Sequence, residues 1–208
     1  MDVLVTGRSV VWLARLLWEQ EAVSSNLTVP TILSFKPSKS PICCYSMKVS
    51  AEDAIKTLGL KPHREGGWFR RTYESEHMLQ LAQGSRPCGT SILYLLKKSE
   101  VSRLHSLRSD ETWYFHRGNS LELNLFESGQ FRCVHLGNAI ELGQVPQTTI
   151  AAGTVFGAFP CGPEEWSLVS CSVSPGFDYA DLIWPDADEL KKQHPEKESL
   201  LRKLAPLQ

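Results

Sequence analysis

From residue 90 onward, this 208-residue chain repeats short runs of β-branched and aromatic residues, and turn residues separate each run from the next. No helical pattern lies between the runs, and Ser128-Gly129 has the composition of a hairpin turn. Short strands at this spacing predict an antiparallel sandwich or barrel. The runs cover residues 90–96, 100–104, 111–116, 121–127, 131–136, 154–159 and 166–173.

Short helices are predicted on both sides of the strand region. Ser50 is placed as the N-cap of a helix that stops at Gly59, and Asp186 as the N-cap of a C-terminal helix. The polar run 74–88 is interpreted as an exposed loop. We therefore expect one all-β domain with short N- and C-terminal helices.

Composition excludes some classes of partner and favours one compartment. The formal net charge is −1, which gives no electrostatic reason to expect nucleic acid or an anionic membrane as a partner. The six cysteines form no C-x-x-C pair. This usage is typical of buried free thiols under reducing conditions, so a cytoplasmic location is expected.

Residues 1–46 differ from the rest of the chain. The apolar stretch 10–17 is interrupted by Arg15 and is too short to span a bilayer. Asp2, Glu19 and Glu21 argue against a transit peptide, which would be nearly free of acidic residues. We interpret residues 1–46 as a disordered leader and residues 47–208 as a single domain. Organelle targeting by the leader and a true start at Met47 are the open alternatives.

Candidate chemistry concentrates in residues 103–127. Glu111, Trp113 and Phe115 lie two apart and therefore share one face of a strand. A carboxylate buried among aromatic side chains requires a partner, and His105 lies beyond a short polar turn. We predict that His105 and Glu111 form the catalytic pair of an inward-facing site.

The same residues resemble a known motif. The spacing His105-(x)5-Glu111-(x)6-Gly118 is similar to the first motif of the cupin superfamily, G(x)5HxH(x)3-4E(x)6G, with Leu107 at the second histidine. Residues 62–70, 109–113 and 173–178 extend the resemblance to the single-domain group called cupin family five, whose function is unassigned. The resemblance implies a double-stranded β-helix, or jelly-roll barrel, a homodimer and a small ligand in the barrel lumen.

The metal ligands of this superfamily are incomplete here. Its second motif maps onto residues 151–156, and Phe156 stands at the histidine position. With Leu107 and Phe156 in place of two imidazoles, only His105 and Glu111 remain, whereas zinc and non-haem iron sites keep at least three protein ligands. We therefore predict no firmly bound cofactor. A divalent metal, if one binds, would be held by these two residues.

Without a metal, the pair favours proton transfer. A neutral imidazole oriented by a carboxylate is a general base near neutral pH, and the metal-free sugar epimerases of the cupin superfamily use this chemistry. The leading hypothesis is an isomerase or epimerase that acts on a sugar or related carbonyl compound. A non-catalytic ligand-binding or storage cupin and a metal-dependent oxygenase are the alternatives.

Further residues are expected around the ligand. Tyr94 or Tyr114 would supply the partner acid. His63 and Glu65 are either site residues contributed by an arm of the chain or, the preferred interpretation, anchors that hold that arm to the barrel. The side chains expected to line the ligand site are Trp113, Phe115, Gln147 and Phe156.

Overall fold

The computed structural model describes residues 49–205, and the interpretation of residues 1–46 as a leader lies outside them. A short helix, α1 (Ala51–Leu58), begins this region. The Ser50 side chain accepts a hydrogen bond from Asp53 N, and Gly59 ends the helix with φ 63°. The predicted N-terminal helix is therefore confirmed, cap and stop included.

Within residues 49–205, eleven strands form two antiparallel sheets. In their spatial order, the strands of the first sheet are β1 (Lys61–Pro62), β2 (Trp68–Glu74), β5 (Thr90–Lys97), β12 (Trp166–Ser174), β7 (Asp110–Gly118) and β10 (Gln147–Ile150). Those of the second sheet, in the same sense, are β13 (Leu182–Ile183), β6 (Ser102–Leu107), β11 (Val155–Cys161), β8 (Ser120–Glu127) and β9 (Gln130–Leu136).

Neighbouring strands in each sheet are often distant in sequence, because the chain crosses repeatedly between the sheets. This order is that of a jelly roll, so the predicted all-β double-stranded β-helix is confirmed. The run 74–88, interpreted as a loop, instead contains the hairpin of β3 (Met78–Leu81) and β4 (Gly84–Pro87). The hairpin is anchored by Arg86, which is buried against Asp181.

The C-terminal region is helical, as expected. It contains α2 (Ala187–Gln193), capped by the Asp186 side chain, and α3 (Glu198–Leu204). Leu201 and Leu204 of α3 are fully buried in a cluster with Leu104. Single 3-10 turns lie at Ile140–Leu142, Tyr179–Asp181 and Pro195–Lys197. Among residues 49–205, no helix is long and apolar enough to cross a membrane.

The main core fills the space between the two sheets. It combines leucines of β8 and β9 with Phe156 of β11 on one side, and Tyr94, Trp113 and Val169 on the other. Of the four cysteines in residues 49–205, Cys171 alone is fully buried, as expected, and Cys88 is half-buried. Cys133 and Cys161 are exposed, because they lie on the outer face of the second sheet.

Candidate active site

A small cavity lies at one end of the first sheet, where Thr90, Glu111 and Val173 form one cross-strand row. Its volume is about 40 Å³, enough for one or two water molecules. Arg71 and Tyr179 also line it but remain exposed, so they mark its mouth. The other lining residues are His63, Glu65, Phe69, Ile92, Tyr94, Leu107, Trp113, Cys171 and Phe177.

His105 is fixed as one neutral tautomer beside this cavity. It lies on β6 with 1% of its surface exposed. Its Nδ1 is 2.6 Å from the Arg103 carbonyl oxygen, which can only accept, so Nδ1 carries the hydrogen and Nε2 keeps its lone pair. Burial lowers the pKa of His105, although the nearby Glu111 charge opposes that shift. The imidazole is therefore a neutral acceptor at its Nε2.

The carboxylate closest to His105 belongs to Glu65. Its Oε2 lies 3.4 Å from His105 Nε2 and 3.7 Å from His63 Nδ1. Burial raises the pKa of Glu65 from 4.5 to about 8 and lowers the pKa of His63 to about 4. Glu65 is therefore a neutral acid at pH 7, positioned between two neutral imidazoles.

Backbone contacts hold Glu65 in place. Arg103 N donates to the Glu65 carbonyl oxygen over 2.9 Å, and the buried Tyr94 hydroxyl donates to the Gly66 carbonyl oxygen over 2.7 Å. Gly66 has φ 108°, and a Cβ there would lie 2.2 Å from the Val101 carbonyl oxygen. Only glycine can make this turn, which carries Glu65 into the interior.

Glu111 is a second buried acid at the same cavity. Burial raises its pKa to about 7, helped by repulsion from Glu65, while His105 lowers it. The Trp113 N–H and the Cys171 thiol lie close enough to lower that pKa slightly. Within residues 49–205, however, neither Glu111 Oε2 nor Trp113 Nε1 makes a hydrogen bond of normal geometry. Buried polar atoms of this kind require a partner, which a ligand or an ordered water in the cavity would supply.

The expected direct pairing of His105 with Glu111 is not what the structure shows. No hydrogen bond or ion pair joins the two side chains, as far as the described residues go; His105 lies on β6 of the second sheet and Glu111 on β7 of the first. Glu65 comes within ion-pair distance of His105 instead. Glu111 still acts on the imidazole through space, since its charge raises the pKa of His105. The arm that carries Glu65 was interpreted as an anchor, and it also supplies the central acid.

The structure separates the other predicted ligand-site residues into two groups. Trp113 lines the cavity, and Phe156 packs against the His105 ring with 4.3 Å between ring centroids. Phe115 packs on the core and does not line the cavity. Gln147 is exposed and lies opposite Tyr114, because strand alternation gives the inward position beside Trp113 to its neighbour Thr148.

The two tyrosines considered as the partner acid lie in different places. Tyr94 lines the cavity and is 2% exposed, whereas Tyr114 lies on the opposite face of β7 from Trp113. Burial raises the pKa of Tyr94 well above 10. Tyr94 thus stays protonated and holds the Gly66 carbonyl, which makes it a positioning residue for the arm.

The donors of the cavity do not converge as metal ligands. Leu107 and Phe156 occupy the two positions where the cupin motifs have histidine, and both are buried. His63 Nδ1 already accepts a hydrogen bond from Glu65 N over 3.3 Å. In the region from 49 to 205, no three ligand atoms of this cavity lie within 4.8 Å of one another. His105, Glu65 and Glu111 are the residues that could contact a cation there.

Comparison with known proteins agrees with this fold. The uncharacterized protein YML079W of Saccharomyces cerevisiae is 30% identical over 173 residues, which is 75% of this chain and 86% of the yeast protein. A hypothetical protein from Leishmania major is 34% identical with a TM-score of 0.70, over 76% of this chain and 99% of that one. Protein SO0799 from Shewanella oneidensis is 34% identical with a TM-score of 0.69, over 76% and 98%.

Residues 52–183 match the family described as Cupin superfamily (DUF985). This match covers more than half of the chain, and it includes the arm, both sheets and every residue of the cavity. The resemblance read from the first motif is thereby confirmed, and the protein is a member of this cupin family.

Proposed function

We propose that this cupin binds a small polar carbonyl compound, such as a sugar, at the mouth of the cavity with its carbonyl end reaching inside, and isomerises or epimerises it by proton transfer. One observation carries the proposal. Two buried carboxyl groups, Glu65 and Glu111, line the same cavity with pKa values of about 8 and about 7. Paired groups with pKa values near the working pH are typical of general acid and base catalysts.

Each group has a separate role in this scheme. Glu111, when ionised, takes the proton from the carbon next to the substrate carbonyl. Glu65, with His105 Nε2 beside it, gives a proton to the carbonyl oxygen, and an enediol forms. Glu111 then gives its proton to the neighbouring carbon while the Glu65 carboxylate takes the proton of the other hydroxyl, so the carbonyl moves by one carbon and both side chains return to their starting states. The free Trp113 N–H is available to a substrate oxygen. Arg71 at the mouth pairs with the exposed Glu74, and a substrate that carries an anionic group outside the cavity would compete for that guanidinium.

Deuterium exchange tests the proposal without knowledge of the product. The protein is incubated in D2O with fructose, a ketose phosphate or a nucleoside-diphosphate keto-sugar, and NMR follows the loss of the proton next to the carbonyl. General acid and base catalysis contributes about 10²- to 10⁴-fold. We therefore expect Glu111→Gln and His105→Asn to slow exchange by at least about 100-fold. His116→Asn, which alters an exposed histidine on the outer face, is the matched control.

The pH profile gives a second reading of the same assay. Exchange requires Glu111 ionised and Glu65 protonated, so the rate should be greatest between pH values of about 7 and about 8. The two acids repel each other, and the profile therefore reports the pair. Absence of exchange with every compound contradicts the enzyme proposal. Saturable binding of the same compounds would then identify a non-catalytic binding cupin.

Two further expectations from the sequence concern the oligomeric state and the domain boundary. We propose a homodimer with a small molecule as its partner, and a single domain over residues 47–208. Sedimentation of the purified chain measures the first of these. Comparison of its melting temperature with that of a chain beginning at Met47 measures the second.

A further inference from the structure

A second cluster of metal-ligating side chains lies far from the cavity, on the outer face of the second sheet. Glu122 of β8 and His135 of β9 are directly opposite each other, and Cys133 lies two residues before His135. Cross-strand partners and residues two apart share one face of a sheet, so all three side chains project together. Their ligand atoms all lie within 4.8 Å of one another.

The distances suit a tetrahedral metal. Cys133 Sγ is 3.8 Å from His135 Nε2. Zinc bonds of about 2.3 Å to sulfur and about 2.0–2.1 Å to nitrogen, at a tetrahedral angle, place those two atoms about 3.6 Å apart. The existing separation therefore needs a change of only a few tenths of an ångström, which a side-chain rotation supplies.

A neighbouring residue provides an independent indication of a missing ligand. Asn124 is the cross-strand partner of Cys133, and it is fully buried. Its Nδ2 donates to the Glu122 carbonyl oxygen, but its Oδ1 has no hydrogen-bond partner among residues 49–205. Asn124, Glu122 and Cys133 line one groove between the sheet and the C-terminal helices. A buried amide oxygen without a partner is costly unless something in the groove donates to it.

We propose that Glu122, Cys133 and His135 bind one divalent metal ion of the zinc class, with a water as the fourth ligand. In this arrangement, that water donates a hydrogen bond to Asn124 Oδ1. One thiolate and one carboxylate balance the two positive charges of the ion, and the neutral imidazole completes a mixed sulfur, nitrogen and oxygen set. The thiol proton passes to solvent when the metal binds.

The ligand set selects zinc over the harder cations. Calcium and magnesium require mostly oxygen ligands, whereas thiolate and imidazole favour zinc or cobalt. Binding ties β8 to β9 at a groove where Lys197 and Lys203 also lie. These two ammonium groups favour an anionic molecule over a second cation in the rest of the groove.

Cobalt(II) titration of the reduced full-length protein tests the site. We expect about one equivalent of cobalt to produce the near-ultraviolet band of a thiolate bound to cobalt, and zinc to abolish that band by competition. Cys133→Ser should remove the band. Glu122→Gln and His135→Asn should each weaken binding by at least about 10-fold, since each removes one of three protein ligands.

Matched variants separate this site from other donors of the chain. Cys161→Ser changes an exposed thiol on the same face of the sheet and should leave the titration unchanged. The double change Cys43→Ser and Cys44→Ser tests the two remaining thiols outside residues 49–205, and His105→Asn tests the cavity. Asn124→Leu should keep the band but weaken binding.

Each outcome of the cobalt titration either supports or overturns the proposed site. Loss of the band in Cys133→Ser alone supports the site. The proposal is overturned if no thiolate band appears, if Cys133→Ser retains it, or if a variant at Cys43 and Cys44 or at His105 abolishes it instead.

Discussion

The burial of the Glu65 side chain predicts an unusual dependence of folding stability on pH. Burial raises its pKa from 4.5 to about 8, so the folded chain keeps a proton that the unfolded chain releases across this range. When the folded state binds more protons than the unfolded state, stability falls as pH rises. The stabilisation of the folded state by the proton on Glu65 is fully present below pH 4.5 and is lost by the time the pH passes 8.

The histidines act in the opposite direction, and they define the window for the measurement. Burial lowers the pKa of His63 from 6.5 to about 4 and lowers that of His105 as well. Below pH 6.5 the unfolded chain therefore binds more protons at these histidines than the folded chain does, and stability falls as the pH falls. Between pH 4.5 and pH 6.5 the effect of Glu65 on the free energy of unfolding opposes the effect of the two histidines. Above pH 6.5 the carboxyl groups of the cavity dominate, so the decline of the free energy of unfolding should appear there.

The magnitude follows from the size of the change in pKa. Each unit of difference between folded and unfolded chain corresponds to about 1.36 kcal/mol. The whole range for Glu65 thus corresponds to about 5 kcal/mol, of which about 2 kcal/mol falls between pH 6.5 and 8. Glu111, whose pKa is raised to about 7, adds to the decline in the same direction.

Urea unfolding at several pH values measures this directly. We expect the free energy of unfolding of the parent to fall between pH 6.5 and 8, and that of Glu65→Gln to fall much less. Glutamine keeps the shape of the side chain but does not titrate. Glu127→Gln, at an exposed position, should follow the parent. A parent curve that is flat or rising, or a Glu65→Gln curve with the parent's slope, would refute the reasoning.

Three further predictions concern the elements that position Glu65 and the mouth. Gly66→Ala places a Cβ 2.2 Å from a carbonyl oxygen and should lower the melting temperature far more than Gly129→Ala, which has φ 75° and open space around it; equal effects would contradict the close approach. Arg86→Ala leaves Asp181 with only the more distant guanidinium of Arg108, 4.0 Å away, and should lower the melting temperature far more than Lys191→Ala, which removes an exposed pair with Asp188; equal effects would contradict it. Tyr94→Phe removes the 2.7 Å hydrogen bond to the arm and should lower the free energy of unfolding by about 1–3 kcal/mol, whereas an unchanged value would show that the arm docks without it.

Local signals predicted much of the fold. Ser50 and Gly59 gave the limits of the first helix, and Asp186 gave the start of the first C-terminal helix, because caps act through neighbouring backbone groups. Strand alternation correctly placed Glu111 and Trp113 on the inward face. These inferences succeeded because each depends on residues only a few positions apart.

Contacts between distant segments were not predictable in the same way. Glu65 reaches His105 because its backbone docks on Arg103 of β6, and neither strand alternation nor a helix cap near Glu65 indicates that contact. The Gly-Gly pair that follows it was the available signal, since it indicates a close approach of backbones. Likewise, Arg86 seemed to belong to an exposed loop because Asp181, its buried partner, lies 95 residues away.

The cost of burying Glu65 also indicates the role of this residue. At pH 7 its raised pKa destabilises the folded chain by about 3 kcal/mol relative to a side chain of the same shape that does not titrate. A position that served packing alone would gain from glutamine. Strongly perturbed acids that oppose stability are concentrated at sites of chemistry, where the ability to exchange a proton outweighs the loss. Glu65→Gln should therefore be more stable than the parent at pH 8 and slower in deuterium exchange, and a variant that gained stability while exchanging at the parent's rate would leave the acid without a catalytic role.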